Sequence, residues 1–176
     1  MNWNESKKAL SKAKDWIIHN QKEDGRIVWD EKDKCDPWDH CECLIALALY
    51  EEWDSFNLGV DWFFNNLNED GLIHPEFKNI TVTHKHFESH HAPYIILPLM
   101  QAVLMGRDDL ITPNIKSKIN IIFDQLDNFK DSDGYYSWAK DSNGLSDNSL
   151  ITASMSIFLS LKALNNSTNI KFNQNL

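Results

Sequence analysis

Three Asp-Gly pairs, Asp24-Gly25, Asp70-Gly71 and Asp133-Gly134, recur along this chain in one setting, and they constrain its fold more than any other feature. Each follows a segment with apolar residues at helical spacing: ALSKAKDWIIHNQ, GVDWFFNNL and INIIFDQLDNF. After each comes a short apolar or aromatic stretch (RIVW, LIHPEF, YYSW) and then a polar loop. A second, more apolar segment follows: CLIALALYEEW, APYIILPLMQAVLM and LITASMSIFLSLKAL. Self-similarity on this scale marks a repeat architecture. Glycine reverses the chain after a helix because it takes positive φ without strain. The expectation is an all-α chain of three helical hairpins with six main helices.

Ala9, Ala13, Trp16 and Ile17 share one helix face, as do Val60, Phe63, Phe64 and Leu67. The second segments are apolar nearly all round, as in helices packed on several sides. This places outer helices near residues 5–20, 56–67 and 114–129, and inner helices near 37–53, 91–105 and 147–164. Asp36 suits the N-cap of the first inner helix, Pro37 its first position, and Asp39 its third, where a carboxylate favours the helix dipole. Ser89 is the candidate cap of the second inner helix, and Ser146 or Asp147 of the third. Pro98 should kink the second, freeing the carbonyl of Tyr94. Residues 1–165 read as one domain and 166–176 as a frayed, Asn-rich tail. The long connections all run from outer to inner helix, beyond the usual range for helix hairpins. In an up-and-down arrangement they gather where the inner helices begin, and that end is the candidate active face.

Acidic residues outnumber Lys plus Arg by 26 to 17, with no basic stripe, which excludes nucleic acid as the expected partner. The stretches LIALALY and YIILPLM are too short for a bilayer span of about 20 helical residues. The first residues are charged and lack a signal-peptide core. With Cys35, Cys41 and Cys43 forming no even framework, the expected compartment is the cytoplasm.

Two segments concentrate chemistry at the candidate face. DEKDKCDPWDHCEC gathers Asp36, Asp39, His40 and Glu42 at an inner-helix entry, and these are the candidate catalytic residues. THKHFESHH holds four of the seven histidines and, with Glu88, five residues that could serve as imidazole or carboxylate metal ligands. His84, His86, His90 and His91 are the candidate ligands of a divalent metal such as zinc, although no HExxH signature is present. Trp38, Tyr94, Trp138 and Asn148 are the candidate substrate contacts, the aromatics lining a cleft. For each segment the alternative is capping and a solvated polar loop.

QKEDGRIVW, with partial echoes NEDGLIHPEF and DSDGYYSWAK, resembles the Gln/Asp-Gly/Trp repeats of the terpenoid-cyclase and protein-prenyltransferase α/α-toroids. DGRIVW followed by DPWDHCECLIALAL is similar to bacterial prenyltransferase-like proteins, whose inner helix begins DPW-[ND]-H-x-E. The similarity covers most of residues 10–164. It implies a half (α/α) toroid, since toroids usually close with five to seven hairpins, completed by a second copy or a partner chain. It also implies a small-molecule or polyprenyl ligand, and a zinc held by Asp36 or Asp39, Cys41, and His90 or His91. The DxDD and DDxxD motifs of terpene chemistry are absent. Two alternatives stand beside this reading. One is a non-catalytic hairpin scaffold that binds a ligand or partner. The other is a glycan-processing enzyme of the six-hairpin type, using Asp36 or Asp39 with Glu42 and an aromatic sugar platform.

Overall fold

The computed structural model describes residues 3–166. The tail expected at 166–176 therefore lies almost wholly outside the described residues. The expected pairs of helices are present: α1 (Trp3–Asn20) with α2 (Pro37–Leu49), α3 (Trp53–Asn65) with α4 (His91–Tyr94) and α5 (Ile96–Leu104), and α6 (Pro113–Leu126) with α7 (Ile151–Asn166). Counting α4 and α5 as one broken helix, six helices make up most of the described residues. The break falls at Ile95, next to the carbonyl of Tyr94 that Pro98 leaves without an amide partner. α2, α5 and α7 stand side by side, with α1 and α3 against α2 and α6 against α4. Leu44, Leu47, Ile95, Ile96, Leu99 and Ile157 from the inner helices meet Phe56, Phe63, Ile119 and Ile122 from the outer ones in the core.

The three Asp-Gly turns share a hydrogen-bond frame. Lys22, Asn68 and Asp131 each donate their N–H to the carbonyl four residues on and accept the N–H of the glycine three residues on. All three glycines have positive φ. Gln21 ties the first turn to the next outer helix, since its side-chain amide donates to the carbonyls of Gly25 and Ser55.

The loops are more ordered than a polar reading suggests. They form two three-stranded antiparallel sheets. In the first, β1 (Lys34–Cys35) pairs with the hairpin β2 (Phe77–Lys78) and β3 (Thr81–Val82); in the second, β4 (Phe87–Glu88) pairs with β5 (Ala139–Asp141) and β6 (Gly144–Leu145). Each sheet joins the end of one repeat's loop to the hairpin of the next repeat, so the sheets lock successive repeats together at the inner-helix N-termini.

Asp36 caps α2 through the Trp38 N–H at 2.7 Å, with Pro37 at the first position, as expected. The other two caps differ. Ser89 turns its hydroxyl to the Trp138 carbonyl and His90 takes the cap position without a side-chain bond. Ser146 instead accepts the Asn148 N–H on its hydroxyl and gives its carbonyl to the Ser137 hydroxyl, so α7 starts later, at Ile151. Among the described residues no helix is long and apolar enough to cross a membrane.

Candidate active site

The chain folds Asp36, Glu88, His90 and His91 into one polar cluster between α2 and β4. Pairing of Glu88 with Ala139 in the second sheet fixes the backbone that precedes His90 and His91. The Ser89 N–H bonds the Trp138 carbonyl at 3.0 Å and tightens the same joint. Glu88 is the hub. One carboxylate oxygen lies 3.0 Å from His86 Nε2, and the other accepts from Trp138 Nε1 at 3.1 Å. That second oxygen also lies 3.4 Å from His91 Nδ1 and 3.7 Å from His90 Nε2.

His91 lies between two carboxylates. Its Nε2 is 3.2 Å from Asp36 Oδ1, while its Nδ1 faces Glu88 without hydrogen-bond alignment. Both His90 and His91 are 2% exposed, and His90 Nδ1 also has no hydrogen-bond partner. Burial and the adjacent His91 push the His90 imidazole down to about 3, so it is neutral near pH 7. Burial works to raise Asp36, but the hydrogen bond and charge of His91 and the backbone N–H groups of Trp38 and Asp39 hold its carboxyl below the usual range.

Asp39 and Glu42 lie along the same helix, three residues apart and hence on one face. Burial, reinforced by the charges of Asp36 and Glu42, raises Asp39 above an ordinary aspartate, against a side-chain hydrogen bond with Trp29. Glu42 is exposed and meets the Tyr94 hydroxyl at 3.4 Å. Trp38 packs edge-on to both His90 and Tyr94. Beyond Glu88, a pocket of about 410 Å³ opens along β5 and β6, lined by His86, Trp138, Lys140, Asn143 and Asp147 among others.

Several expected site residues lie elsewhere. His40 is 1% exposed, and both its nitrogens are engaged in the fold: Nδ1 accepts the Ile27 N–H at 3.3 Å and Nε2 donates to the Gly59 carbonyl at 3.0 Å. It faces the first turn and α3, away from the cleft. His84 is exposed, 3.8 Å from Glu76, and His86 serves Glu88 by hydrogen bonding. Among the described residues, the group of potential metal-ligand atoms within 4.8 Å of one another is Glu88, His90 and His91, without His84, His86 or Cys41. Cys41 is fully buried and burial raises its thiol, so it remains protonated. Asn148 positions Trp138 through its backbone carbonyl, at 2.7 Å from the Trp138 N–H, with its side chain exposed. Glu88 emerges as the central residue. Its alternation with His86 was the available signal, but only the sheet reveals that it points at His91.

No family model matches the chain. In fold it is similar to solved sugar-processing enzymes. A D-mannose isomerase superposes with a TM-score of 0.72 at 12% identity, over 96% of this chain and 47% of that one. An alpha-amylase from Clostridium perfringens gives 0.64 at 12% identity, over 88% and 47%. The endo-beta-1,4-glucanase from Acetobacter xylinum gives 0.60 at 14% identity, over 88% and 53%. At these identities the likeness shows the fold, that of α/α-toroid-like enzymes.

In sequence the chain is similar to the MMP endo-(1,4)-3-O-methyl-alpha-D-mannosidase of Mycolicibacterium hassiacum, 26% identical over 151 residues. The match takes in 83% of this chain and 41% of that protein, so the chain spans about two fifths of the length of the curated relative it matches. These findings correct the expectation of a prenyltransferase- or terpenoid-cyclase-like protein with a polyprenyl ligand. The Asp-Gly pattern that carried that resemblance follows from the hairpin turn of this fold, which is not tied to prenyl chemistry.

Proposed function

We propose that this chain carries a glycan-processing site, acting on α-linked hexose chains of the mannose type. The observation that carries the reading is the sequence relation to the endo-mannosidase, over a share of the chain that necessarily takes in its middle, where the cleft is built. The carboxylates on one face of α2 support it chemically. Asp39, raised by burial and by its acidic neighbours, is suited to donate a proton to a leaving glycosidic oxygen. Glu42, exposed on the same face, supplies the second carboxylate. Trp29, 41% exposed and hydrogen-bonded to Asp39, offers a ring face for a sugar. The test is incubation with α-1,4-linked 3-O-methylmannose oligosaccharides and, in parallel, maltooligosaccharides, reading new reducing ends and ligand-induced Trp fluorescence. Cleavage or saturable binding of the first is expected, with turnover falling about 100-fold or more in Asp39→Asn while binding persists. Absence of both cleavage and binding for either glycan would sink the reading.

We infer further that the three hairpins form half of an (α/α) ring and that a second copy completes it. Gly25 packs against Leu58 of α3 and Gly71 against Ile121 of α6, each on the outer helix of the following repeat. Among the described residues, nothing lies within 4 Å of a Cβ built at Gly134. α7 exposes Ile151, Met155 and Phe158 as one stripe. α1, the outer helix that a second copy would bring there, exposes Leu10, Trp16, Lys8 and Lys12, opposite in charge to Asp131 and Asp133 of the third turn. Sedimentation equilibrium should give a dimer that Phe158→Asp dissociates at least tenfold. A monomer at 100 times the assay concentration would overturn the idea.

A further inference from the structure

We propose that Glu88, His90 and His91 form a binding site for one divalent transition-metal cation of the zinc class, with Asp36 as the residue that positions His91. The inference goes beyond the glycan reading and does not depend on it.

Asp36 Oδ1 already accepts the backbone N–H of Trp38, and as an ionised acceptor it takes a proton from His91 Nε2. With the proton on Nε2, the lone pair of Nδ1 points toward Glu88 Oε2, 3.4 Å away. Two lone pairs facing each other repel, and burial keeps bulk solvent from screening them, His91 being 2% exposed. A second proton on Nδ1 would place an imidazolium between two carboxylates, yet that N–H would have no aligned hydrogen-bond acceptor. A metal cation between nitrogen and oxygen engages both atoms directly.

Distances agree with this. Ligands about 2.0–2.1 Å from a tetrahedral zinc lie about 3.3 Å from one another. Glu88 Oε2 is 3.4 Å from His91 Nδ1 and 3.7 Å from His90 Nε2, close to that edge length for both pairs. One ligand atom from each of the three residues lies within 4.8 Å of the other two, so the set can gather around one ion.

The surroundings match what a metal site needs. A ligating histidine commonly gives its other N–H to a carboxylate, which sets its tautomer and orientation, and Asp36 stands in that relation to His91. Glu88 is itself held from two sides, by His86 on one oxygen and Trp138 Nε1 on the other. Three protein donors leave a fourth position for water or a ligand hydroxyl. The donor set of two imidazoles and one carboxylate suits zinc, iron, nickel or copper in preference to magnesium or calcium.

The experiment uses untagged full chain, stripped with a chelator and dialysed, then titrated with Zn²⁺ by calorimetry and with Co²⁺ by visible absorption. One ion per chain is expected, with a Co²⁺ spectrum of low-coordinate N/O ligation. Glu88→Gln, which keeps the side-chain shape, and His91→Ala should each abolish the stoichiometric site. Asp36→Asn should keep one ion but weaken it about 10–100-fold, and His84→Ala should leave it unchanged. Circular dichroism of each stripped variant establishes that it is folded, and Glu88→Gln carries the test if His91→Ala is not. Lack of saturable binding, or binding lost in His84→Ala but kept in Glu88→Gln, overturns the site. Glycan binding by the stripped protein is read separately, so either result leaves the mannosidase-like reading to its own assay.

Discussion

Gly25→Ala is expected to destabilise the fold by about 4 kcal/mol, near the top of the range for single substitutions. A Cβ at this position would lie 2.0 Å from the Leu58 carbonyl oxygen and 2.6 Å from its carbon, both backbone atoms of α3. Backbone cannot rotate away as a side-chain tip does, so α1 and α3 must separate. The positive φ of +96° adds strain of about 1–2 kcal/mol for any residue with a Cβ. Gln21 compounds the effect, because the same displacement breaks its bonds to Gly25 and Ser55. In a protein of this size, the loss lowers the melting temperature by roughly 10 °C. Gly134→Ala is the control: its φ is also positive, at +85°, but its Cβ would meet open space. It should cost about 1 kcal/mol. Thermal melts of the two variants check the contrast, and equal losses would mean that turn strain, not helix approach, sets the effect.

That contrast explains what the sequence could and could not convey. The Asp-Gly repeat, the helix periodicity and the Asp36-Pro37 cap are local signals, written within a few residues, and they were legible. Pairing of β1 with β2, or of β4 with β5, joins residues some 40 to 50 positions apart in strands of two or three residues, too short for alternation to register. A polar composition therefore reads as a solvated loop, whereas these residues form two three-stranded sheets beside the polar cluster. The site was legible as two segments but not as a geometry. Asp36 and His91 were both candidates, yet their 3.2 Å contact depends on α2 and the end of the second loop meeting in space. Glu88 reads from the sequence as one possible carboxylate ligand among the histidines, not as the residue that joins them. The family resemblance misled for a related reason: Gln21, Gly25 and the residues around them serve the turn, so they report architecture and carry no information on substrate.

His40 provides the second large expected effect, and it concerns pH. Its imidazole is sealed between the Ile27 N–H, the Gly59 carbonyl and the Trp62 ring, 4.6 Å away. Both nitrogens are used in the neutral form: a proton added at Nδ1 would replace an acceptor with a donor facing another donor. Burial, only partly opposed by the Gly59 carbonyl, accordingly drives its pKa from 6.5 to about 4. In the unfolded chain the same group titrates near its ordinary value. Between those two values the unfolded state holds the proton and the folded state does not, so stability falls as pH falls from 6.5 toward 4 and is level above that window. The shift amounts to about 3 kcal/mol across the window. His40→Gln keeps the donor for Gly59 but leaves the Ile27 N–H unpaired, so it should lose about 1–3 kcal/mol at pH 7.5. Its further loss on acidification should be smaller than the wild type's by up to about 1.4 kcal/mol per pH unit. Urea melts of both proteins at pH 7.5, 6, 5 and 4.5 measure the difference directly. His90, buried beside His91, titrates in the same direction in both proteins and cancels in that comparison. Parallel curves for wild type and variant would place the acid sensitivity in the cluster at His90 and remove His40 from it.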